Sequence, residues 1–303
     1  MSTHGFHPDA RHVVTREDVP YLRHGDVELL ARVWRPEAPG DGRVAVVDVH
    51  GGAWCDNDRR LGKRYDAALA ARGAVVVAVD FRCGAAGPHP RGSVDVSSAI
   101  RWVRANAGAL GVDPALVVSI GSSSGGHLAW LSALGCDHFE PVEVGELLVD
   151  GRWVVDEGGD DAPLGVAALW PPVDPLARYD YARNLDTDHG RRLVANTVDY
   201  FGTTRAMGEA SIADIVGSGQ HLRTPDVLLV VPEVDLNVPV EITDRVAAVY
   251  EAAGGVVEAC HYQGVGHGFG HFDNDQTERF DADVAEWIDR IVARVDGTGE
   301  GVA

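Results

Sequence analysis

The sequence predicts an α/β fold in which a mostly parallel central sheet carries helices on both faces. Short valine-rich runs such as 44–49 and 74–79 are almost entirely apolar, as expected for strands buried on both sides. Segments with helix-like apolar spacing alternate with these runs. Because strands that alternate with helices form parallel sheets, we predict a single domain over residues 1–303, with an insertion at 136–163 and a cap at 171–219.

Composition and charge narrow the classes of function. The 303-residue chain is 45% hydrophobic, enough for a full core, and its formal net charge of -20 argues against binding to nucleic acid or anionic membranes. Residues 1–20 are polar and no apolar run approaches membrane-spanning length, so we expect no signal peptide and no membrane anchor. The cysteines lack C-x-x-C spacing, which favours a reduced, cytoplasmic protein; they are Cys55, Cys83, Cys136 and Cys260.

The N-terminal region predicts an arm followed by an antiparallel pair of strands. Residues 1–18 resemble a loose arm. Apolar and polar residues alternate over 27–34, which predicts a strand. Residues 19–24 are a weaker candidate, because Pro20 confines a strand to the edge of a sheet. Gly25-Asp26 would form the turn between them.

The remaining elements follow the alternation of strand and helix. The predicted strands are 44–49, 74–79, 116–120, 166–170, 227–231 and 256–262. The predicted helices are 60–72, 94–107, 240–253 and 281–295. A turn at 111–114 leads into the strand 116–120.

The insertion departs from this alternation. Between Asp137 and Asp161 the sequence contains nine acidic residues and a single arginine. This stretch includes two short apolar segments, which Asp150-Gly151 separates. An Asp-Gly pair between apolar runs is a strong hairpin signal, so we predict a surface β-hairpin with an acidic tail. A divalent-metal site is the alternative, but no D-x-D-x-D-G loop occurs and we predict no metal.

The cap segment has no strand period and is predicted to be helical in pieces. It would lie over the carboxyl edge of the sheet. Aromatic residues occur at Tyr179, Tyr181, Tyr200 and Phe201. Charged residues interrupt its apolar surface: Arg178, Asp180, Arg183, Asp186, Asp188, Arg191 and Arg192.

The motif Gly-Ser-Ser-Ser-Gly-Gly at 121–126 organises the site. It follows the strand 116–120 directly and precedes the helix-like segment 127–131. This context fits a G-x-S-x-G nucleophile elbow with Ser123 at its centre. Glycine is needed on either side because strand and helix backbones approach too closely for a Cβ atom.

Two late loops supply the partners that a serine nucleophile needs. Asp235 follows one late strand and His267 follows the last one, in the order acid then histidine. Because parallel strands end at the same edge, both loops would emerge beside Ser123. We predict that His267 takes the serine proton and that Asp235 orients the imidazole.

Alternatives to these partners remain. Glu233 shares a loop with Asp235, and a glutamate can also serve as the acid. His267 could be an ordinary loop histidine in a chain that has 13 histidines. His261 lies within a strand and His271 lies beyond the loop, so both are weaker candidates for the base.

Adjacent glycines after a strand leave backbone N–H groups free to point at one spot. We therefore predict an oxyanion hole from the N–H groups of Gly51, Gly52 and Ser124. Trp54 and His127 are weaker candidates for the substrate pocket, and His127 is expected to pack or to orient a neighbour rather than to catalyse.

Several motifs together resemble one known group of proteins. They are His50-Gly51-Gly52-Ala53-Trp54, Asp80-Phe81-Arg82, the elbow with His127-Leu128-Ala129, the Asp235 loop with Val238-Pro239, and Gly266-His267-Gly268-Phe269. They resemble the hormone-sensitive-lipase-like esterases and their BD-FAE-type relatives among the α/β-hydrolases, over roughly residues 19–295. The chain departs from many relatives at Phe81, where they have tyrosine, and in the acidic insertion.

This resemblance implies an α/β-hydrolase fold and hydrolysis of a small-molecule carboxylic ester without a cofactor. An amide-type hydrolase, such as an arylformamidase, would use the same triad. A non-catalytic binding protein of the same fold would usually lack a triad member, and here all three are present. The charged cap predicts short, water-soluble acyl esters and no interfacial activation. The oligomeric state is not predicted.

Overall fold

The computed structural model describes residues 5–37, 42–135, 142–221 and 223–298, with side chains of the last helix as far as Val295. The strands are β1 (Val14–His24), β2 (Val27–Pro36), β3 (Arg43–Val49), β4 (Val75–Val79), β5 (Val112–Ser122), β6 (Glu146–Val149), β7 (Arg152–Val155), β8 (Gly165–Leu169), β9 (Asp226–Pro232) and β10 (Val257–Tyr262). The helices are α1 (Lys63–Ala71), α2 (Arg91–Ala105), α3 (Ala107–Leu110), α4 (Ser124–Ala133), α5 (Pro175–Arg183), α6 (Asp188–Phe201), α7 (Thr204–Glu209), α8 (Ile212–Ser218), α9 (Val240–Ala252) and α10 (Thr277–Thr298). Two short 3₁₀ segments lie at Gly84–Ala86 and Phe269–His271.

All ten strands form one sheet in the order β10-β9-β8-β5-β3-β4-β2-β1-β6-β7. The strands from β10 to β4 pair in parallel. The strands from β2 to β7 add an antiparallel part at one end. The predicted α/β class with a mostly parallel sheet is confirmed.

The core lies on both faces of the sheet. Along β3, Val44 and Val46 pack into the cluster that α10 covers, whereas Ala45 and Val47 pack into the cluster under α2. Every residue of β3 is buried, as expected for a central parallel strand covered on both sides. Burial of both faces explains why these runs have no polar alternation in the sequence.

The N-terminal arm was predicted to be loose, and this is wrong for its described part. Phe6 is fully buried in the core, and the N–H of His7 donates to the carbonyl of Arg72. Strand β1 begins at Val14, and among the described residues β6 pairs with it only at Leu22 and Arg23. Pro20 therefore lies in the part of β1 that pairs with β2 alone, in agreement with the edge position predicted for it. The strand tolerates this proline because its register with β2 shifts between Pro20 and Leu22.

The start of β5 also differs from the prediction. The turn expected at 111–114 is part of the strand from Val112 onward. The register between β3 and β5 shifts between Arg43 and Ala45, which accommodates the additional residues.

The insertion forms the predicted hairpin, which joins the main sheet. Strands β6 and β7 pair across Asp150-Gly151, and β6 also pairs with β1. The acidic tail is tied to α2, because Asp156 is buried and accepts hydrogen bonds from Ser98 and Arg101. Arg101, which binds the acidic tail, lies far from the insertion in the sequence. The composition of the insertion therefore does not predict this contact. Residues 136–141 of the predicted insertion lie outside the described residues.

Two further properties concern the described part of the chain. None of its helices combines the length and the apolar character that a membrane span requires. It also has no group of three or more His, Cys, Asp or Glu side chains placed to hold a metal ion.

Candidate active site

The nucleophile elbow connects β5 to α4 at the centre of the sheet. Ser123 has φ 51° and ψ -124°, a strained conformation for a non-glycine residue. A Cβ at Gly121 would lie 2.5 Å from the carbonyl of Gly125. A Cβ at Gly125 would lie 1.9 Å from the carbonyl oxygen of Val49. Close approach of three backbones therefore requires both glycines and projects the Ser123 side chain beyond the end of β5.

The structure brings the three residues proposed for the triad together. Nε2 of His267 lies 2.8 Å from Oγ of Ser123, and Nδ1 of His267 lies 2.8 Å from Oδ2 of Asp235. The other oxygen of Asp235 accepts hydrogen bonds from the backbone N–H groups of Asn237 and Val238. The carboxylate is 2% exposed, so these bonds hold it firmly against the imidazole. The arrangement allows proton transfer from the serine hydroxyl to the imidazole.

The alternative acid and bases take no part in the hydrogen bonds that link Ser123, His267 and Asp235. Glu233 is exposed and accepts a hydrogen bond from the N–H of Gly264. His261 is paired with Asp244 on the outside of α9. His271 lines the cavity around Ser123, and burial lowers the pKa of its imidazole to about 4, so it is neutral at ordinary pH.

In the loop after β3, one of the predicted oxyanion donors is already used in another hydrogen bond. The N–H of Gly51 donates to Oγ of Ser122 at 3.2 Å, so it does not support the predicted role in an oxyanion hole. Gly52, Ala53 and Trp54 follow with φ of 129°, 52° and 64°. The first two of these line the cavity of the nucleophile together with Gly51. These residues lie in a turn, and successive backbone N–H groups in a turn conformation can form a concavity that suits an anion.

Trp54 and His127 do not line the cavity as the sequence suggested. Nε1 of Trp54 donates to Nδ1 of His127 at 3.2 Å, and Nε2 of His127 lies 2.8 Å from the carbonyl oxygen of Ala210. Both side chains are buried, and burial lowers the pKa of His127 to about 4. The ring of Trp54 also packs against Phe201. These contacts connect α4, which carries His127, and the loop that carries Trp54 to the segment 171–219.

The nucleophile opens into a cavity of about 410 Å³. Its walls come from the loop after β3, from α5 and α6, and from the His267 loop. The side chains that line it include Asn57, Trp170, Arg178, Leu193, Asn196 and His271. A neighbouring cavity of about 540 Å³ shares His267 and Asn237 with it and is also lined by apolar residues such as Leu185 and Leu236.

Arg178 is a cavity residue that the sequence analysis placed on the charged surface. Its side chain is buried, on the same face of α5 as Pro175 and Ala182. The spacing of these residues, three and four apart, marks one side of a helix and is the signal that could have identified it.

A buried carboxyl pair lies below the elbow. The hydroxyl of Tyr65 donates to Asp48 at 3.1 Å, and Asp66 lies beside Asp48. All three side chains are buried. Burial raises the pKa of Asp48 to about 7 and that of Asp66 well above its usual value. Tyr65 also reaches Ser122, which links the pair to the loop of Gly51.

Comparison with known proteins points to esterases. The BD-FAE family matches residues 33–147. Esterase LipC of Mycobacterium tuberculosis is 30% identical over 259 residues, which are 83% of this chain and 60% of LipC. Carboxylesterase NlhH of the same organism is 35% identical over 113 residues, 36% of this chain and 34% of NlhH. The chain thus spans less than two thirds of the length of these relatives.

Solved structures match over nearly the whole chain. Esterase Est2 of Thermogutta terrifontis with propionate bound has a TM-score of 0.68 at 26% identity, covering 92% of this chain and 94% of that one. The same esterase phosphorylated by paraoxon has a TM-score of 0.64 at 26% identity, covering 91% and 94%. An esterase of Pyrobaculum calidifontis is 22% identical with a TM-score of 0.68, covering 93% and 87%, a likeness in fold alone.

Proposed function

We propose that this chain, which belongs to the hormone-sensitive-lipase-like esterases of the α/β-hydrolase fold, is a serine hydrolase that cleaves small carboxylic esters. The observation that carries the proposal is the pair of 2.8 Å contacts that links Ser123 to His267 and His267 to Asp235. A serine hydroxyl needs such a base, and the base needs a carboxylate that fixes its tautomer.

In the proposed acylation step, Oγ of Ser123 attacks the ester carbonyl while Nε2 of His267 takes the hydroxyl proton. The carbonyl oxygen becomes an oxyanion, which the N–H groups of Gly52, Ala53 and Ser124 would bind. His267 then gives its proton to the alcohol oxygen. The C–O bond of the ester breaks, the alcohol leaves, and the acyl group remains on Ser123.

Deacylation repeats the same chemical steps, with water in place of the serine hydroxyl as the nucleophile. His267 takes a proton from the water, whose oxygen attacks the acyl carbon. Collapse of the second tetrahedral intermediate returns the proton to Oγ of Ser123 and releases the carboxylic acid. Asp235 stays ionised and stabilises the imidazolium in both steps.

The proposed substrates are esters with short acyl groups. A cavity of about 410 Å³ at Ser123 suits a small acyl group. The related Est2 was solved with propionate and with butyrate bound, which supports the same size class for this chain. We further propose that the segment 171–219 acts as a cap within a single domain, since its helices α5 and α6 contribute walls of the cavity.

A substrate panel tests the proposal. It combines p-nitrophenyl esters of increasing acyl length with N-formyl aromatic amines. Hydrolysis of acetate or butyrate esters that requires Ser123 is the expected result. Cleavage of the N-formyl amines alone would show that the enzyme is an amide-type hydrolase. If neither the esters nor the N-formyl amines are hydrolysed, the proposal is wrong. The cytoplasmic location remains a prediction that cell fractionation would test.

A further inference from the structure

Arg178 is a buried cation without an anionic partner. Its side chain is 3% exposed, and it lines the cavity of Ser123. Nη1 donates to the hydroxyl of Thr197 at 2.6 Å and to the carbonyl of Leu193 at 3.2 Å. No carboxylate of the described residues lies within ion-pair distance of its guanidinium group. Buried charges in proteins are normally paired, because an unpaired charge in the interior is costly.

The surroundings of Arg178 do not remove its charge. The Trp54 ring lies 5.4 Å from the guanidinium carbon, a cation–π contact. Burial lowers the pKa of Arg178 to about 10, so the group stays positive at neutral pH. Asp235 is the carboxylate that acts on it electrostatically, but Asp235 is already bonded to His267. A positive charge therefore faces the cavity of the nucleophile.

The position of the guanidinium is fixed. Two hydrogen bonds from Nη1 and the Trp54 ring hold the group, while Nη2 has no acceptor among the described residues. The polar residues Asn57, Asn196 and Asn237 line the same cavity. Asp56 is the acid among the described lining residues, and its side chain is exposed to solvent. This wall is suited to a negatively charged group rather than to a plain hydrocarbon chain.

We infer that the substrate of this site is an ester that itself carries a carboxylate, which Arg178 binds through its free guanidinium N–H groups. The inference rests on the proposed function and adds the chemical class of the substrate. The carboxylate belongs to the acyl part, as in a half-ester of a short dicarboxylic acid, or to the alcohol part, as in an acylated hydroxy acid. A bound carboxylate would complete the pairing that the protein alone leaves unmet.

The test compares matched substrates that differ in the carboxylate. For the acyl part, monoethyl succinate is compared with ethyl levulinate, in which a methyl ketone replaces the carboxylate. For the alcohol part, 3-acetoxypropanoate is compared with 4-acetoxy-2-butanone. Ethanol or acetate release gives kcat/KM, and a charge-assisted hydrogen bond predicts a preference of about 10-fold or more for the carboxylate in one pair. Equal rates in both pairs would overturn the inference.

Ethyl butyrate separates this inference from the proposed function. If the enzyme hydrolyses ethyl butyrate but shows no preference for the carboxylate in either substrate pair, the inference is wrong and the esterase proposal still holds. Failure to hydrolyse any of the five esters would remove both.

Variants then assign the preference to Arg178. Arg178→Gln should abolish the preference for the carboxylate, and Arg178→Lys, which keeps the charge, should retain part of it. Arg183→Gln on the exposed side of the same helix, with 59% of its side chain exposed, is the matched control and should keep the preference. Circular dichroism and thermal unfolding establish that each variant is folded. A preference that persists in folded Arg178→Gln would overturn the role of Arg178.

Discussion

The N–H of Gly51 donates a hydrogen bond to Oγ of Ser122 at 3.2 Å, which joins the loop after β3 to the nucleophile elbow. Both groups are buried. The adjacent residues are Gly52, a proposed oxyanion donor, and Ser123, the proposed nucleophile. The bond therefore sets the distance between two parts of the site that come from different strands.

Ser122→Ala should loosen this connection. Loss of the acceptor leaves a buried N–H group unpaired, at a cost of about 1–3 kcal/mol. We expect kcat to fall about tenfold with little change in KM, since the contact aligns groups used in the transition state. Steady-state kinetics on p-nitrophenyl butyrate measures both parameters. Ser218→Ala, at the exposed end of α8, is the control, and equal kinetics of the two variants would contradict this role for Ser122.

Ser123→Ala should reduce turnover by about 10⁴-fold or more, because no other group supplies the nucleophile. The fold should persist, since only one oxygen atom is removed. Paraoxon should add a diethyl phosphoryl group to the wild-type protein at Ser123, which peptide mass spectrometry locates. A label on Ser122 or Ser124, or normal turnover of the variant, would show that the nucleophile is a different residue.

Asp235→Asn and Glu233→Gln should differ strongly in effect. The carboxylate of Asp235 fixes the imidazole of His267, whereas Glu233 bonds to the N–H of Gly264 at the surface. We expect a loss in kcat of about 10³–10⁴-fold for Asp235→Asn and less than about threefold for Glu233→Gln. The reverse order in kcat would assign the acid role to Glu233.

Asp48→Asn should make stability less dependent on pH. Burial raises the pKa of Asp48 to about 7 in the folded protein, against 3.8 as its usual value. The folded protein thus binds a proton that the unfolded chain has released, so stability falls as pH rises from about 4 to about 7. Asparagine carries no such proton, and the variant should gain on the order of 2 kcal/mol over wild type at pH 8.

Urea unfolding at pH 5 and pH 8 measures this difference. Asp180→Asn on the exposed face of α5 serves as the control and should follow the wild type at both values. The same loss of stability between pH 5 and pH 8 in Asp48→Asn would contradict the assignment to Asp48.

Rate should not rise when a long-chain ester exceeds its solubility limit. Within 171–219, all of which the structure describes, Val198 is the one large hydrophobic residue that is exposed. A lid that docks on lipid droplets needs a contiguous apolar face. Hydrolysis of a long-chain p-nitrophenyl ester is measured across its solubility limit, with the acetate and butyrate esters for comparison. A sharp increase at the appearance of droplets would identify a lipase lid.

Local patterns in the sequence were sufficient to predict most of the framework. Continuous apolar runs mark buried strands such as β3 because both faces of a parallel sheet are covered. The glycines around Ser123 predict the elbow because the need for a missing Cβ is a local requirement. The order of Ser123, Asp235 and His267 along the chain predicts their meeting, since the ends of parallel strands share one edge.

Contacts between distant segments were decided by the tertiary structure alone. The sequence placed Gly51 among the oxyanion donors, but its N–H bonds to Ser122, a residue 71 positions away. It placed Arg178 on the surface, although folding of α5 against α6 buries it beside the nucleophile. Periodicity and motifs encode what a residue's neighbours in the chain require. The partner of a polar group in the interior depends on which remote atoms packing brings within about 3 Å, and no local pattern records that.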